Sequence, residues 1–149
     1  MERLLLYVHY NQHNKVDNHV VYQLKQIRHI YDKLIFISNS QISFPDYEDL
    51  TKEVQIDYFL QRKNEGFDFA GWKDGLMLLG FETVSNYNSV TIMNDTCYGP
   101  LWDLLPHYEY YDEQDIDFWG MTSHPAMLPD RKFIPKHLQS YFIVFKKSL

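Results

Sequence analysis

The chain has 149 residues, a length that predicts one domain over residues 1–149. Its 14 Lys and Arg against 20 Asp and Glu give a net charge of −6, which argues against nucleic-acid binding because that function needs a dense basic face. The single cysteine, Cys97, excludes an intrachain disulfide framework and a multi-cysteine zinc site. No apolar run approaches the roughly 20 residues of a membrane span, and no signal peptide is recognisable, so we expect a soluble cytoplasmic protein.

The first third of the chain alternates apolar runs with a helical pattern. Residues 3–10 and 33–38 are mostly apolar and predict two buried strands. Between them apolar residues recur at steps of three and four, which predicts a helix with Asn14 as its N-cap. The residues of this helical face are Val16, Val20, Leu24, Ile27 and Tyr31.

The middle of the chain predicts a third strand, a polar loop and a second amphipathic helix. Residues 44–50 predict a short irregular or helical link, and residues 54–59 a weaker strand. Residues 61–68 are polar and predict a loop, in which Asp68 caps a helix that ends before Gly80. Gly71 and Gly75 lie four residues apart and indicate close packing of this helix. Its predicted inward residues are Phe69, Trp72, Leu76 and Leu79.

Three more strands are predicted in the second half. Residues 89–93 form the first of them, with Asn94, Asp95 and Thr96 following its end. Pro100 predicts the start of a short helix. Residues 117–122 predict another strand, residues 124–135 a proline-containing loop, and residues 138–146 an inner strand.

Alternating strands and helices predict a mostly parallel central sheet with helices on both faces. Ligands of such sheets bind beyond the carboxyl ends of the strands. Four polar segments follow predicted strand ends, and we expect them to converge on one crevice. These segments are Tyr10–Asn11, Ser38–Ser40, Arg62–Asp68 and Asn94–Thr96.

Asp95 is the strongest single candidate for chemistry in the sequence. A carboxylate directly after an apolar strand can bind Mg²⁺ or Mn²⁺ together with phosphates, although Asp95 can equally cap the next turn. Arg62 can clamp a phosphate, and Gly66 permits a positive φ. Asp68 can accept hydrogen bonds from sugar hydroxyls or cap its helix.

Histidines and tryptophans leave two interpretations open. His9, His13 and His19 surround the first strand end and are interpreted as hydrogen-bonding or surface groups. His124 and His137 flank the proline-containing loop, where either can be a base or a metal ligand, although a surface role is favoured. The tryptophans Trp72, Trp102 and Trp119 either stack on sugars or fill the core, and the core is the commoner place.

Four motifs in order give the chain a resemblance to a known family. They are RKNEGFDFAGWK from Arg62, NDTCYGP from Asn94, DFWGMT from Asp117 and HLQSYF from His137. Together they closely resemble the rhamnan synthesis protein F family, and the resemblance extends from Leu6 to Lys146. It implies a glycosyltransferase with a nucleotide-diphospho-sugar fold of the GT-A type.

The resemblance also implies roles for individual residues. Asp95 would hold the divalent cation (Mg²⁺ or Mn²⁺) and the diphosphate, although the motif supplies one carboxylate where the full pattern has two. The catalytic base is not identified, and its weak candidates are His124, Asp130 and His137. The expected donor-binding residues are Tyr10, Asn11, Ser38, Asn39, Arg62, Asn64, Gly66, Asp68, Asn94 and Asp95.

The resemblance implies dTDP-rhamnose as the donor and a glycan or lipid-linked glycan as the acceptor. It also implies peripheral association with the inner face of the membrane. Its proteins usually extend further, so one expectation is that this chain is the N-terminal part of a longer protein. Two alternatives remain: a non-catalytic nucleotide-sugar or glycan-binding module, and an unrelated α/β interaction domain. In the last, residues 108–111 would form an exposed partner surface.

Overall fold

The computed structural model describes residues 1–126 and 133–147, and its centre is a six-stranded sheet. In this sheet the strand order is β3-β2-β1-β4-β8-β5. Strands β1 to β4 are parallel, whereas β8 runs antiparallel to both β4 and β5. A separate two-stranded sheet pairs β6 with β7. The strands are β1 (Arg3–His9), β2 (Lys33–Ser38), β3 (Tyr58–Gln61), β4 (Ser89–Asn94), β5 (Phe118–Gly120), β6 (Ser123–His124), β7 (His137–Leu138) and β8 (Phe142–Lys146).

Helices cover both faces of the sheet, as predicted. They are α1 (Asn18–Ile27), followed by a 3-10 turn (Arg28–Ile30), α2 (Phe44–Glu53), α3 (Phe67–Leu79), α4 (Phe81–Val84) and α5 (Leu105–Asp112). Leu24 of α1 packs with Leu5 and Tyr7 on one face, and Trp72 of α3 packs with Leu6 and Val8 on the other. The central strands are therefore buried on both sides, which explains their continuous apolar sequence. None of the helices in these described ranges is long and apolar enough to cross a membrane.

Two predicted helix caps are wrong. Helix α1 begins at Asn18 with Asp17 as N-cap, because Asn14 adopts a left-handed conformation (φ 57°) and its Oδ1 accepts a hydrogen bond from the Gln41 backbone N. Helix α3 has Gly66 (φ 70°) as its N-cap, so Asp68 lies inside the first turn. In both helices the N-cap has a non-helical backbone, extended at Asp17 and left-handed at Gly66. The predicted caps, Asn14 and Asp68, do not cap their helices.

Other differences concern element ends. Helix α2 continues to Glu53 and β3 starts only at Tyr58, so the predicted third strand was placed too early. The helix predicted at Pro100 begins at Leu105 instead, where the Leu105 N donates to Asp103 Oδ1 at 2.9 Å and Pro106 lies in the first turn. The predicted end of α3 at Gly80 (φ 79°) is confirmed.

Burial corrects three further predictions. Phe69 is 68% exposed and Leu76 36% exposed, so these two residues of α3 do not face the core. Tyr108 is fully buried, and its hydroxyl lies 2.5 Å from the Tyr31 hydroxyl and 2.7 Å from Thr91 Oγ1. Residues 108–111 are therefore not the exposed partner surface of the last alternative, since their first member is a core residue.

Close approach of α3 to the sheet requires glycine at two positions, as predicted from their spacing. A Cβ built on Gly75 would lie 2.6 Å from Ile37 Cδ1 and 2.9 Å from Leu6 Cδ2. A Cβ on Gly71 would lie 2.9 Å from Val8 Cγ2. The helix thus lies directly against β1 and β2, and this contact fixes the height of its N-terminus relative to the strand ends.

We predict that Gly75→Ala destabilises the protein by about 1–3 kcal/mol, because the new methyl overlaps two fully buried side chains. In an unconstrained helix the same change would stabilise by up to about 1 kcal/mol. Urea unfolding measures the difference. Ile37→Val removes the nearer methyl, so the double variant should lose less than the sum of the two single losses; strict additivity would contradict the packing explanation.

Candidate functional site

The carboxyl ends of the four parallel strands lie level with one another. In the strand register His9 is opposite Ser38, Ser38 is opposite Gln61, and Val8 is opposite Asn94. The following loops therefore leave the sheet along one edge. The chain continues from β1 to β2 on one side, while β4 lies on the other, so a topological switch point falls between β1 and β4.

Hydrogen bonds join the four predicted polar segments in pairs along this edge. Across the switch point, the Tyr10 backbone N donates to Asp95 Oδ2 at 3.0 Å. The other pairs are Asn11 N to Ser40 Oγ at 2.7 Å, Arg62 Nη1 to Asn39 Oδ1 at 2.7 Å, and Asn94 Nδ2 to Asp68 Oδ2 at 2.7 Å. The structure thus brings the four segments to one edge of the sheet.

Arg62 is largely engaged by the protein itself. Its Nε donates to Asp74 Oδ2 at 2.8 Å, its Nη1 to Asn39, and its Nη2 to the Glu65 carbonyl at 2.7 Å. Its side chain is only 13% exposed. These contacts hold the loop before α3, and a phosphate would meet only the remaining N–H groups of the guanidinium.

Several of the predicted donor-binding residues are buried. Ser38, Asn39 and Asn94 are at most 5% exposed. Asn39 Oδ1 accepts from Arg62, so its amide orientation is fixed, and within the described residues its buried Nδ2 has no hydrogen-bond partner. Tyr10 is 49% exposed, and Asn11, Asn64 and Asp68 are half-buried, so these are the predicted residues that a ligand can reach.

Asp95 is the most perturbed acid of the site. Burial raises its pKa from 3.8 to about 6, and the nearby Asp68 carboxylate adds to the rise. Hydrogen bonds from backbone N–H groups and the proximity of His19 oppose it. At neutral pH the carboxylate is therefore ionised in a place that disfavours charge, which is typical of a functional carboxylate.

Helix α1 holds the loop that carries Asp95. His19 Nε2 lies 3.1 Å from the Asp95 carbonyl oxygen, and Gln23 Nε2 donates to the Cys97 carbonyl oxygen at 3.1 Å. A carbonyl only accepts, so His19 carries its proton on Nε2. The His19 ring also packs against Tyr98, with centroids 4.6 Å apart. The hydrogen-bonding role predicted for His19 is confirmed, but the sequence did not indicate that its partner is the Asp95 loop.

His9 is buried at the end of β1, where its Nε2 lies 3.1 Å from the Lys15 carbonyl and its Nδ1 3.2 Å from Ser38 Oγ. Burial lowers its pKa from 6.5 to about 4, so the ring is neutral at physiological pH. It ties the first loop to the sheet, which confirms a hydrogen-bonding role.

An apolar cleft of about 410 Å³ opens beside the Asp95 loop. Trp102, 63% exposed, contributes to its wall, whereas Trp72 and Trp119 are core residues. Tyr141 lies at the same edge because the antiparallel β8 starts there, and its carbonyl accepts from the Asn94 N. The remaining lining residues are Gln23, Met93, Cys97, Tyr98, Gly99, Pro100, Leu101, Leu104, Met121, Thr122 and Phe142. This cleft was not predicted from the sequence, and the signal for it is the two aromatic residues Tyr98 and Trp102 shortly after β4.

The donor set for a metal is small. In residues 1–126 and 133–147 no group of three or more His, Cys, Asp or Glu is arranged to hold a metal ion. Asp68 lies close enough to Asp95 to contribute to the raised pKa of Asp95. Such a pair suits a cation that also binds substrate phosphates and water, as Mg²⁺ and Mn²⁺ do, and does not form a complete protein cage.

Of the three candidates for a catalytic base, two belong to the small sheet. His124 and His137 face each other across β6 and β7. Asp130 lies outside the described residues.

We predict that Asp95→Asn stabilises the fold at neutral pH. A carboxyl group whose pKa is raised by folding contributes its full stability below pH 3.8 and loses it as the pH rises through about 6. The variant should therefore gain about 2–3 kcal/mol relative to the natural chain between pH 3.5 and pH 7. Urea unfolding across this range measures the gain.

Asp49→Asn is the matched control, because Asp49 is an exposed carboxylate paired with Lys52 on α2. Its stability difference should stay within about 0.5 kcal/mol over the range. A flat profile for both variants would show that Asp95 is not desolvated.

Comparison with known proteins agrees with the motifs. The family model described as "Rhamnan synthesis protein F" matches residues 34–149. A curated relative, the uncharacterized protein y4gN of Sinorhizobium fredii (strain NBRC 101917 / NGR234), is 27% identical over 129 residues, which is 83% of this chain and 32% of the relative. This chain thus spans about a third of that relative's length. No solved structure matches this chain. The predicted resemblance is confirmed: the chain belongs to the rhamnan synthesis protein F family.

Proposed function

We propose that this chain is a glycosyltransferase domain that transfers rhamnose or a related sugar from a nucleotide-diphospho-sugar to a growing cell-surface polysaccharide. Family membership suggests a role in rhamnan synthesis. One observation supports glycosyl transfer in particular. Asp95 is a desolvated carboxylate at the switch point of a mostly parallel sheet, beside an aromatic cleft. We take the fold to be of the GT-A type.

The diphosphate of the donor would lie at the sheet edge between β1 and β4. Helices α1 and α3 begin near this position, because His19 contacts the Asp95 carbonyl and Asp68 accepts from Asn94, and helix N-termini favour anions. Tyr10, Asn11 and Asn64 are reachable from this position and are proposed to contact the nucleotide. The buried residues of the donor set, Ser38 and Asn39, would maintain the shape of the edge.

A divalent cation fits this arrangement if it binds together with the diphosphate. Asp95 would hold it, with Asp68 close by, and the cation would neutralise the charge of the leaving diphosphate. The protein's own part is to keep Asp95 ionised and correctly oriented, which the Tyr10 N–H and the α1 contacts do.

The sugar would occupy the apolar cleft. Its volume of about 410 Å³ accommodates a sugar ring with space for part of an acceptor, and exposed aromatic rings such as Tyr98 and Trp102 offer flat apolar faces for the C–H side of a pyranose. An acceptor hydroxyl oxygen would then form a bond to the anomeric carbon while the bond to the diphosphate breaks, and a base would take the hydroxyl proton. His124, Asp130 and His137 remain the candidates for that base.

The acceptor proposed for this reaction is a glycan or a lipid-linked glycan, with dTDP-rhamnose as the donor. With a lipid-linked acceptor, the transfer would take place at the inner face of the membrane, with which the protein would associate peripherally. A non-catalytic nucleotide-sugar-binding module is the second candidate, and one observation favours it: the two histidine candidates lie on a small sheet apart from the main one.

Calorimetric titration with dTDP and with UDP, each with Mn²⁺ and with EDTA, tests the donor site. We expect Mn²⁺-dependent binding that Asp95→Asn abolishes and Asp49→Asn preserves. Because the cation needs the ionised carboxylate, affinity should fall up to about tenfold per pH unit below pH 6. Binding that is indifferent to EDTA and to Asp95→Asn would contradict the proposed site, and turnover assays with glycan acceptors would separate an enzyme from a binding module.

Trp102→Ala tests the position of the sugar. Loss of the ring should weaken binding of the nucleotide-sugar by about three- to tenfold and leave binding of the nucleotide alone unchanged. Tyr110→Ala, which removes a 60% exposed aromatic ring of α5, is the control and should change neither affinity. Equal losses for nucleotide and nucleotide-sugar would instead mean that Trp102 stacks on the base.

A further inference from the structure

Two histidines meet on the small sheet of β6 and β7. His124 is directly opposite His137 in the antiparallel register, so their side chains leave the same face. Their rings are stacked, with centroids 5.2 Å apart and planes at 9°. The hairpin is closed further by a hydrogen bond from the Gln139 N to the Thr122 carbonyl at 3.0 Å.

The hydrogen bonds of the two rings fix which nitrogen is open. His124 Nδ1 lies 2.8 Å from the Pro125 carbonyl oxygen, and His137 Nδ1 lies 2.9 Å from the Pro135 carbonyl oxygen. Because a carbonyl oxygen only accepts, both Nδ1 atoms carry a hydrogen, and in the neutral rings both Nε2 atoms present a lone pair. A histidine that ligates a metal commonly donates its other N–H to a backbone carbonyl in this way.

We propose that His124 and His137 bind one transition-metal ion, such as Zn²⁺, Ni²⁺ or Cu²⁺, through their two Nε2 atoms. Imidazole nitrogen is a ligand that these ions prefer. A Zn–N bond of about 2.0–2.1 Å requires the two nitrogens to lie within about 4.2 Å of each other. With centroids 5.2 Å apart and planes at 9°, the two rings have to turn about their Cβ–Cγ bonds until both Nε2 lone pairs point at the ion, and the exposed His137 has room to turn.

The site is open and not a closed structural centre. No third His, Cys, Asp or Glu completes it among the residues that the structure describes, so water or a bound ligand takes the other positions. Room for them exists, because His137 also lines a cleft of about 560 Å³ beside Phe118 and Phe145. The ion would join two strands of only two residues each, which pair weakly by themselves.

Titration of the untagged chain with Zn²⁺ at about pH 7.5 tests this site. We expect one Zn²⁺ per chain and a loss of affinity of about tenfold or more in each of His124→Phe and His137→Phe. Phenylalanine keeps a ring for stacking but has no nitrogen ligand. His13→Phe, which changes an exposed histidine of the first loop, should bind Zn²⁺ like the natural chain.

Two further readouts separate ligation from a merely structural role. The electron paramagnetic resonance spectrum of bound Cu²⁺ should show two nitrogen ligands, and Zn²⁺ should slow hydrogen exchange of the Gln139 amide. Absence of Zn²⁺ binding at millimolar concentration, or binding that both phenylalanine variants retain, would overturn the assignment. Neither result would bear on the donor site, which shares no residue with this pair. Binding of Zn²⁺ would, however, remove both histidines from the candidates for the catalytic base.

Discussion

The parallel register of β1 with β2 and β4 is the constraint on which the candidate site depends. His9 lies opposite Ser38 and Val8 opposite Asn94, so the loops that carry Tyr10, Asn39 and Asp95 emerge at one height. Close packing of α3 on the same strands, made possible by Gly71 and Gly75, sets the start of that helix at the same edge. A slip of one residue would exchange core side chains between the two covered faces of the sheet and separate the hydrogen-bonded pairs of the site.

The burial of Asp95 is costly for a protein that only needs to fold. A neutral amide could accept the Tyr10 N–H equally well without the desolvation that raises the pKa of the carboxyl to about 6. The charge is useful only to a partner of opposite sign, and a cation bound with a diphosphate would recover the desolvation cost. The raised pKa of Asp95 therefore supports the proposal that the loop after β4 binds a cation.

Much of this fold follows from the sequence, because its central strands are continuous apolar runs and its strand ends carry polar residues. The alternation of strands and helices, the end of α3 at Gly80 and the meeting of the four polar segments were predictable in this way, whereas the antiparallel direction of β8 and the division of residues 138–146 between β7 and β8 were not. The starts of α1 and α3 were not predictable. Asn14 and Asp68 could have been the N-caps, but Asn14 is hydrogen-bonded to Gln41 and Asp68 to Asn94, and such long-range contacts cannot be read from local sequence. Exposure of Phe69 likewise depends on which face of α3 meets the sheet, and glycine, not the apolar stripe, decides that face.

The reversed direction of β8 gives the site its two different halves. A parallel strand there would begin at the far edge, whereas the antiparallel β8 starts beside the end of β4 and brings Tyr141 to the Asn94 N. On the β1–β3 side the edge is polar, where Arg62 donates to Asn39 and Asp68 accepts from Asn94. On the β8 side it is an aromatic cleft. A ligand with a charged phosphate end and a less polar ring matches that division, with Asp95 at the boundary between the halves, and a uniformly polar or uniformly apolar ligand does not.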